Sequence, residues 1–335
     1  MSDGVKAFTG ILLQVYAGDP KVIIVDEPEA FLHPSLAHKL GYELAKGAAE
    51  EKKHIFAATH SSHFVMGAIV SGAHVNIVRL TYANGVATAR HLANAEIVAL
   101  MNDPLLRSIG VLTGLFYDYV IVGEADADRA FYEEINHRLL GSGDARGIPH
   151  ALFLNADGKA TVPRIVAPLR RLGIPTVGIV DIDVVKDGGA VWTRHLEACS
   201  WPPNQLDPCH RHRQIVYDAL KAAAQKGEKA EEYFKRHGGI TLLAKEDREA
   251  ADNLFDGLER YGYFVVRNGE VESWLPALKV PRGKRSNGWR AAIFAAMGSN
   301  PSDATYLKPS KGDVWDFMGR IHGWMADATR RGIPE

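Results

Sequence analysis

Two apolar runs near the N-terminus predict neighbouring strands of a parallel sheet. The first lies in KVIIVDEPE, residues 21–29, where four branched aliphatic residues precede a pair of acids. Such a run is typical of a strand that is buried on both faces. A second run, residues 54–59, leads directly into His60. An amphipathic helix is predicted between the two runs by leucines spaced every four residues, Leu36, Leu40 and Leu44.

Further along the chain, the pattern predicts a hairpin and then a second α/β region. Apolar-rich runs at 75–80 and 86–91 flank an Asn-Gly pair, which strongly favours a two-stranded turn. We place a domain boundary near residue 112, which gives domains of residues 1–112 and 113–335. The second domain is predicted to contain strands at 119–122, 151–154, 176–180 and 263–266, a helix at 161–172, and a helical insert at about 187–240 with one helix over 213–237.

Composition narrows the class of protein. The 335 residues, 46% hydrophobic and 24% charged, are enough for two or three domains. We expect a cytoplasmic protein, because the sequence shows neither a membrane-spanning apolar run nor a signal peptide. Two cysteines, Cys199 and Cys209, exclude both a disulfide scaffold and a four-cysteine zinc site. A formal net charge of -1 means that contact with DNA must rely on local basic patches or on metal ions.

Acidic residues and a histidine follow the first two predicted strands. Asp26 and Glu27 end the first strand, and His60 follows the second. This order resembles the second half of an ABC-type ATPase. The resemblance implies that Asp26 holds magnesium through water, Glu27 polarises the attacking water and His60 contacts the γ-phosphate. An unrelated parallel α/β domain with acids at a strand end remains the alternative.

The same resemblance extends to the N-terminus. Ser2 and Gly4 resemble the signature segment that caps the nucleotide of a partner subunit in these ATPases. The sequence contains no GxxxxGK[ST] motif, the loop that holds nucleotide phosphates. We therefore expect these 335 residues to form an incomplete ATP site, with that loop carried by a segment ahead of them.

Four acids follow two strands of the second domain. Glu124 ends one strand and Asp128 lies four residues later, whereas Asp181 and Asp183 follow the strand at 176–180. Residues two apart in an extended segment point to the same side, so the last two carboxylates share one site. The acids resemble the two motifs of a TOPRIM domain. That family usually places glycine directly after the glutamate, whereas here Gly123 precedes it.

The combination of an ATPase half and a TOPRIM domain resembles the overcoming-lysogenization-defect (OLD) family of ATP-dependent nucleases. The resemblance implies a late acidic metal ligand, assigned to Glu272 with Glu270 as the alternative. It also implies a catalytic lysine, assigned to Lys284 within the basic run 279–290, with Lys159 as the alternative. That run has a plainer interpretation as a solvated loop. Asp126 is not required by the motif, and we expect it to cap the following helix.

The resulting hypothesis is an α/β protein in which a partial ABC-type ATPase domain precedes a Rossmann-like TOPRIM domain with a helical insert. Its expected activity is ATP-regulated DNA cleavage by two Mg²⁺ or Mn²⁺ ions about 4 Å apart, with phage defence or DNA processing as the expected setting. The expected metal ligands are Glu124, Asp128, Asp181, Asp183 and Glu272. The expected partners are DNA and a second copy bound through the ATPase half. The alternatives are a non-nucleolytic ATPase scaffold of the DNA-repair type and a topoisomerase- or primase-like enzyme.

Overall fold

The computed structural model describes residues 3–17, 19–83, 85–225, 227–282 and 286–334. The chain forms two compact units, Met1–Phe116 and Tyr117–Glu335. The division falls four residues beyond the boundary placed near residue 112. Each unit has its own sheets and its own packed helices, and each is described separately.

The first unit combines a parallel strand pair with an antiparallel hairpin. Its elements are α1 (Asp3–Tyr16), β1 (Val22–Asp26), α2 (Pro34–Glu50), β2 (His54–Ala58), α3 (Ser62–Val70), β3 (Ile77–Ala83), β4 (Val86–Leu92), α4 (Asn94–Met101), α5 (Pro104–Ile109) and a 3-10 helix (Val111–Phe116). Strands β1 and β2 are parallel, and Asp26 lies opposite Ala58. Strands β3 and β4 are antiparallel and form the hairpin that the sequence predicts. Asn84 of its turn lies outside the described residues.

Strand β1 is partly buried on one face and exposed on the other, so the prediction that both faces are buried is wrong for the described residues. Ile23 and Ile55 pack against a core that α1, α2 and α3 build, made of Val15, Leu40, Leu44 and Phe64. On the other face, Ile24 is 80% exposed and Phe56 is 62% exposed. The physical reason is that the described chain gives this strand pair helical cover on one side.

The second unit has a four-stranded parallel sheet in the order β6-β5-β7-β8. Its elements are β5 (Tyr119–Gly123), α6 (Asp126–Gly141), β6 (Ala151–Asn155), α7 (Val162–Arg171), β7 (Thr176–Asp181), α8 (Gly189–Ala198), α9 (Leu206–Ala223), α10 (Ala230–Arg236), α11 (Lys245–Arg260), β8 (Tyr263–Val266), α12 (Ser286–Met297) and α13 (Asp313–Ala326). Short 3-10 helices cover Ile182–Lys186, Pro203–Gln205, Gly239–Leu242, Val271–Ser273 and Pro276–Leu278. The predicted α/β class with a Rossmann-like second domain is confirmed.

Aromatic residues from the C-terminal helices complete the core of this unit. Trp289 and Trp315, each 1% exposed, pack in one cluster with Tyr132 and with Phe264 of β8. An aromatic side chain of this kind buries about 150–250 Å², so these rings contribute strongly to stability. Because Trp289 belongs to α12, the end of the basic run 279–290 is a packed helix and not a solvated loop.

The helical insert is built differently from the prediction. One helix was expected over 213–237, but α9 ends at Ala223 and α10 begins at Ala230. Gly227 lies between them with φ of +110°, a left-handed conformation that side-chain-bearing residues rarely adopt and that interrupts a helix. Among the described residues, we find no helix with the length and apolar character needed to cross a membrane.

Candidate functional site

The acidic residues of the two TOPRIM-like motifs follow neighbouring strands. Strands β5 and β7 are parallel and adjacent, so their carboxyl ends meet at one edge of the sheet. Glu124 follows β5, and Asp181 is the last residue of β7. The backbone N–H of Asp181 donates a hydrogen bond of 2.8 Å to Oε1 of Glu124. The sheet topology therefore brings the two motifs into direct contact.

Three carboxylates form a group that suits a divalent cation. One ligand oxygen each from Glu124, Asp181 and Asp183 lies within 4.8 Å of the others. Ile182 is fully buried, and a 3-10 helix begins at this residue, so the expectation of an extended segment from Asp181 to Asp183 is wrong. Oδ1 of Asp183 is buried and has no hydrogen-bond partner among the residues that the structure describes. A set of carboxylate oxygens with one unsatisfied member fits Mg²⁺ or Mn²⁺, which prefer oxygen ligands.

Burial and mutual repulsion disfavour the charged forms of these carboxyl groups. Burial, together with the charges of Asp181 and Asp183, raises the pKa of Glu124 well above its ordinary value. Burial also raises the pKa of Asp181 to about 6, although the ammonium of Lys235 opposes the shift. Carboxyl groups that are forced together in this way are stabilised in their charged form by a bound cation.

Asp128 lies next to this group but has a second role. Its Oδ2 accepts a hydrogen bond of 2.9 Å from the backbone N–H of Ala125 at the start of α6. Burial and the charge of Asp181 raise its pKa to about 8. The expectation that Asp126 caps this helix is wrong, because Asp128 makes the capping contact. Asp126 is exposed and pairs instead with Arg129 at 2.9 Å.

The late acids Glu270 and Glu272 flank the same region. Glu272 lies in the 3-10 helix Val271–Ser273, partly buried, and is not a member of the three-carboxylate group. Burial and the charge of Glu272 raise the pKa of Glu270 to about 7. Oε1 of Glu270 accepts a hydrogen bond of 2.9 Å from Arg282. Of the two alternatives for the late ligand, Glu270 is the one with ion-pair partners near Asp181.

Lysines line the acidic group from two directions. Nζ of Lys159 lies 2.8 Å from Oδ2 of Asp183 and 3.2 Å from Oδ2 of Asp187. Nζ of Lys235 lies 2.7 Å from Oδ2 of Asp181. Although burial opposes their charged forms, the neighbouring carboxylates prevail and raise the pKa of both lysines. Lys284, the lysine assigned from the sequence, lies outside the described residues.

Sequence reasoning missed Lys235 because the insert carries no recognisable motif. The residue belongs to α10, in a charged segment that by pattern alone is a solvated helix. The structure also changes the interpretation of the basic run. Arg282 is paired with Glu270, and Arg290 is paired with Asp126. Within the described part of this run, Arg282 and Arg290 therefore contact carboxylates of the protein itself.

The first unit brings together the residues assigned to a nucleotide site. The backbone N–H of Glu27 bonds to the carbonyl of Ala58 at 2.9 Å, which aligns the ends of β1 and β2 and places Asp26 beside them. Nδ1 of His60 lies 3.4 Å from Oε1 of Glu27, and both side chains are exposed. Glu27 and His60, which follow the ends of two separate strands, thus share one exposed polar surface.

Glu29, to which no role was assigned from the sequence, anchors this surface. Its Oε1 accepts hydrogen bonds from Oγ1 of Thr59 at 2.7 Å and from the N–H of His60 at 3.1 Å. The side chain is 7% exposed. The sequence offered one possible signal for this role, because Glu29 belongs to the same acidic run DEPE as Glu27 and lies two residues further along.

Of the two residues assigned to the signature segment, Gly4 belongs to the described part of the chain. Gly4 is buried in the first turn of α1, where a Cβ atom would lie 2.6 Å from the carbonyl oxygen of Phe31. This close approach to the segment after Glu27 explains why glycine is needed there. Ser2 lies outside the described residues.

Two segments of the chain match known protein families. Residues 1–66 match a family described as "AAA domain, putative AbiEii toxin, Type IV TA system". Residues 115–183 match a family described as "Overcoming lysogenization defect protein-like, TOPRIM domain". The second match includes all three carboxylates of the acidic group and confirms the predicted OLD-like TOPRIM domain. A search among curated proteins finds no match.

Proposed function

For a chain that joins an AAA-type ATPase segment to an OLD-like TOPRIM domain, we propose divalent-metal-dependent cleavage of DNA, regulated by ATP. The observation that carries the proposal is the group of Glu124, Asp181 and Asp183, with its unsatisfied Asp183 oxygen. The group stands at the carboxyl edge of a parallel sheet, where α/β proteins bind ligands. Its ligand type suits Mg²⁺ or Mn²⁺.

The roles of the chain's own residues follow from their positions. Glu124, Asp181 and Asp183 hold the metal, and Asp128 with Glu270 or Glu272 completes the ligand set of a two-ion site. When bound, such ions polarise the phosphodiester and make water a better nucleophile. Lysines beside the site offset the charge of the phosphate, with Lys284 proposed for the scissile phosphate and Lys159 as the alternative.

Regulation is proposed to act through the first unit. Asp26, Glu27 and His60 would contact Mg²⁺ and the nucleotide, with Ser2 and Gly4 serving a partner subunit in a homo-oligomer. ATP binding would then control access to DNA or the activity on it. Phage defence is the proposed setting for a cytoplasmic enzyme of this kind.

Plasmid cleavage tests the proposal directly. Supercoiled plasmid is incubated with the full chain and Mn²⁺ or Mg²⁺, and chelation with EDTA should stop conversion to nicked or linear DNA. Asp181→Ala should lower the rate by at least about 100-fold, the size expected for loss of a group that stabilises the transition state. Asp126→Ala removes an exposed acid from the neighbouring motif and serves as the matched control.

The outcomes separate the competing functions. If Asp181→Ala cleaves plasmid as fast as the wild type, the three-carboxylate group takes no part in cleavage. DNA binding without cleavage under any metal condition would favour the ATPase scaffold of the DNA-repair type. A covalent complex between the chain and a DNA end would instead favour topoisomerase-like chemistry.

A further inference from the structure

Lys235 places a positive charge between two carboxylates of the candidate metal site. Its Nζ lies 2.7 Å from Oδ2 of Asp181 and 3.8 Å from Oε2 of Glu270. The three side chains are 23%, 12% and 15% exposed. The ammonium therefore occupies the gap between the end of β7 and the segment that carries the late acids.

The backbone around Lys235 is held in place by the metal-site segments themselves. Gly269 approaches so closely that a Cβ atom there would lie 2.0 Å from the carbonyl oxygen of Lys235. The carbonyl of Gly269 accepts a hydrogen bond of 2.9 Å from the N–H of Ile182, between the two aspartates. Helix α10, the Asp181–Asp183 segment and the Glu270 segment are thus packed together. The flexible side chain of Lys235 can move while its backbone stays fixed.

The two aspartates differ in what remains open to a cation. Asp183 pairs with Lys159 through Oδ2, while its buried Oδ1 has no partner in the described part of the chain. Oδ2 of Asp181 and Oε2 of Glu270 already share the ammonium of Lys235. A first ion at the three-carboxylate group can therefore use the open Oδ1 of Asp183, whereas a second ion between Asp181 and Glu270 meets the ammonium of Lys235 at both carboxylates.

We propose that Lys235 is a tethered cation that competes for the position between Asp181 and Glu270 and must withdraw before a second divalent ion binds there. Lys235 is accordingly a positioning residue that sets the order and the relative affinity of two ions. The inference rests on the proposed metal-dependent function and adds that the two ions bind unequally.

Mn²⁺ binding measures this directly. Free Mn²⁺ is followed by electron paramagnetic resonance during titration of the full metal-free chain. The wild type should bind two ions with dissociation constants at least about tenfold apart, because the second must displace a charge at contact distance. Lys235→Met keeps the length of the side chain and removes its charge, so the second ion should bind about tenfold more tightly. Lys235→Arg should restore the unequal binding.

Lys186→Met is the matched control, because Lys186 also pairs with the site, at 3.7 Å from Oδ2 of Asp183, but is 40% exposed. Its removal should change both constants less than threefold, as expected for a solvated ion pair. The proposal would be overturned if the wild type binds two ions with equal dissociation constants. It would also be overturned if Lys235→Met gives the same Mn²⁺ binding isotherm as the wild type. If no variant binds Mn²⁺, the proposed metal-dependent function fails as well. If the wild type binds two ions with equal affinity and still cleaves plasmid normally, only the proposed role of Lys235 is rejected.

Discussion

The backbone N–H of Asp181 donates a 2.8 Å hydrogen bond to Oε1 of Glu124. This contact joins the two acidic motifs through one backbone donor and one side-chain acceptor. Replacing the Asp181 side chain leaves the donor in place, whereas replacing Glu124 removes the acceptor. The two residues are both proposed metal ligands, but only Glu124 also satisfies the main chain of its neighbour.

Glu124→Gln should separate the metal role of this residue from its structural role. Glutamine retains an oxygen that can accept from Asp181 but loses the negative charge. Without metal, the variant should be at least as stable as the wild type, because one of several crowded carboxylates is removed. The increase in melting temperature that Mn²⁺ produces should shrink, and plasmid cleavage should fall by at least about 100-fold. Glu124→Ala, which also loses the acceptor, should melt below Glu124→Gln in EDTA.

Stability should depend on pH in opposite ways with and without metal. The pKa values of Asp181, Glu270 and Asp128 are raised to about 6, 7 and 8. A carboxyl with a raised folded-state pKa contributes stability that is complete below its unfolded value of about 4 and is lost as pH rises through the folded value. In EDTA, the free energy of unfolding should therefore fall between about pH 4 and pH 8. Because metal ligands must be deprotonated, stabilisation by Mn²⁺ should grow over the same range.

Denaturant titrations at several pH values check the sign of this effect. Asp128→Asn removes one of the shifted groups, so the difference between wild type and variant isolates its contribution from the rest of the chain. In EDTA, this difference should favour the variant increasingly as pH rises. A difference that stays constant from pH 5 to pH 8 would show that Asp128 has an ordinary pKa.

The acidic group was predictable from sequence because its members are tied to strand ends. In a parallel sheet, Glu124 after β5 and Asp181 at the end of β7 must meet at one edge, whatever the intervening helices do. Lys235 was not predictable, since its position depends on how α10 packs against Gly269, more than thirty residues away. The capping contact of Asp128 was also missed, because the motif assigned that acid wholly to metal binding.

Glu29 should control the position of His60 in the first unit. Its nearly buried carboxylate accepts from Thr59 and from the backbone of His60, so Glu29→Ala leaves both donors without this partner. We expect a loss of about 1–3 kcal/mol in local stability. Glu29→Gln keeps one acceptor oxygen and should lose less. Hydrogen exchange of the amides at residues 59–61 measures the effect, and unchanged protection in Glu29→Ala would contradict the anchoring role.

The basic run 279–290 contains cations in different environments, which the sequence could not distinguish. Lys279 is exposed, and Arg282 contacts Glu270 beside the metal site. Lys284 and Arg285 lie outside the described residues. For Lys284 the prediction from sequence remains that alanine lowers the single-turnover cleavage rate of bound DNA, because a charge used in the transition state affects turnover more than affinity.

Arg282→Ala should act on the metal requirement more than on DNA affinity. Arg282 lowers the pKa of Glu270 against the effects of burial and Glu272, so its loss should raise that pKa further. Because Arg282 contacts Oε1 of Glu270 and not the Oε2 that faces Lys235, its loss does not open the proposed position of the second ion. Half-maximal cleavage should then need more Mn²⁺ than in the wild type, and the difference should be largest near pH 7, where a raised pKa changes the protonation of Glu270 most. Lys279→Ala is the control from the same run: it should leave the Mn²⁺ requirement unchanged and lower the salt slope of DNA binding by about one unit if Lys279 contacts phosphate. If Arg282→Ala instead lowers the salt slope by a full unit at an unchanged Mn²⁺ requirement, Arg282 leaves Glu270 to bind DNA, and its ion pair belongs to the DNA-free state alone.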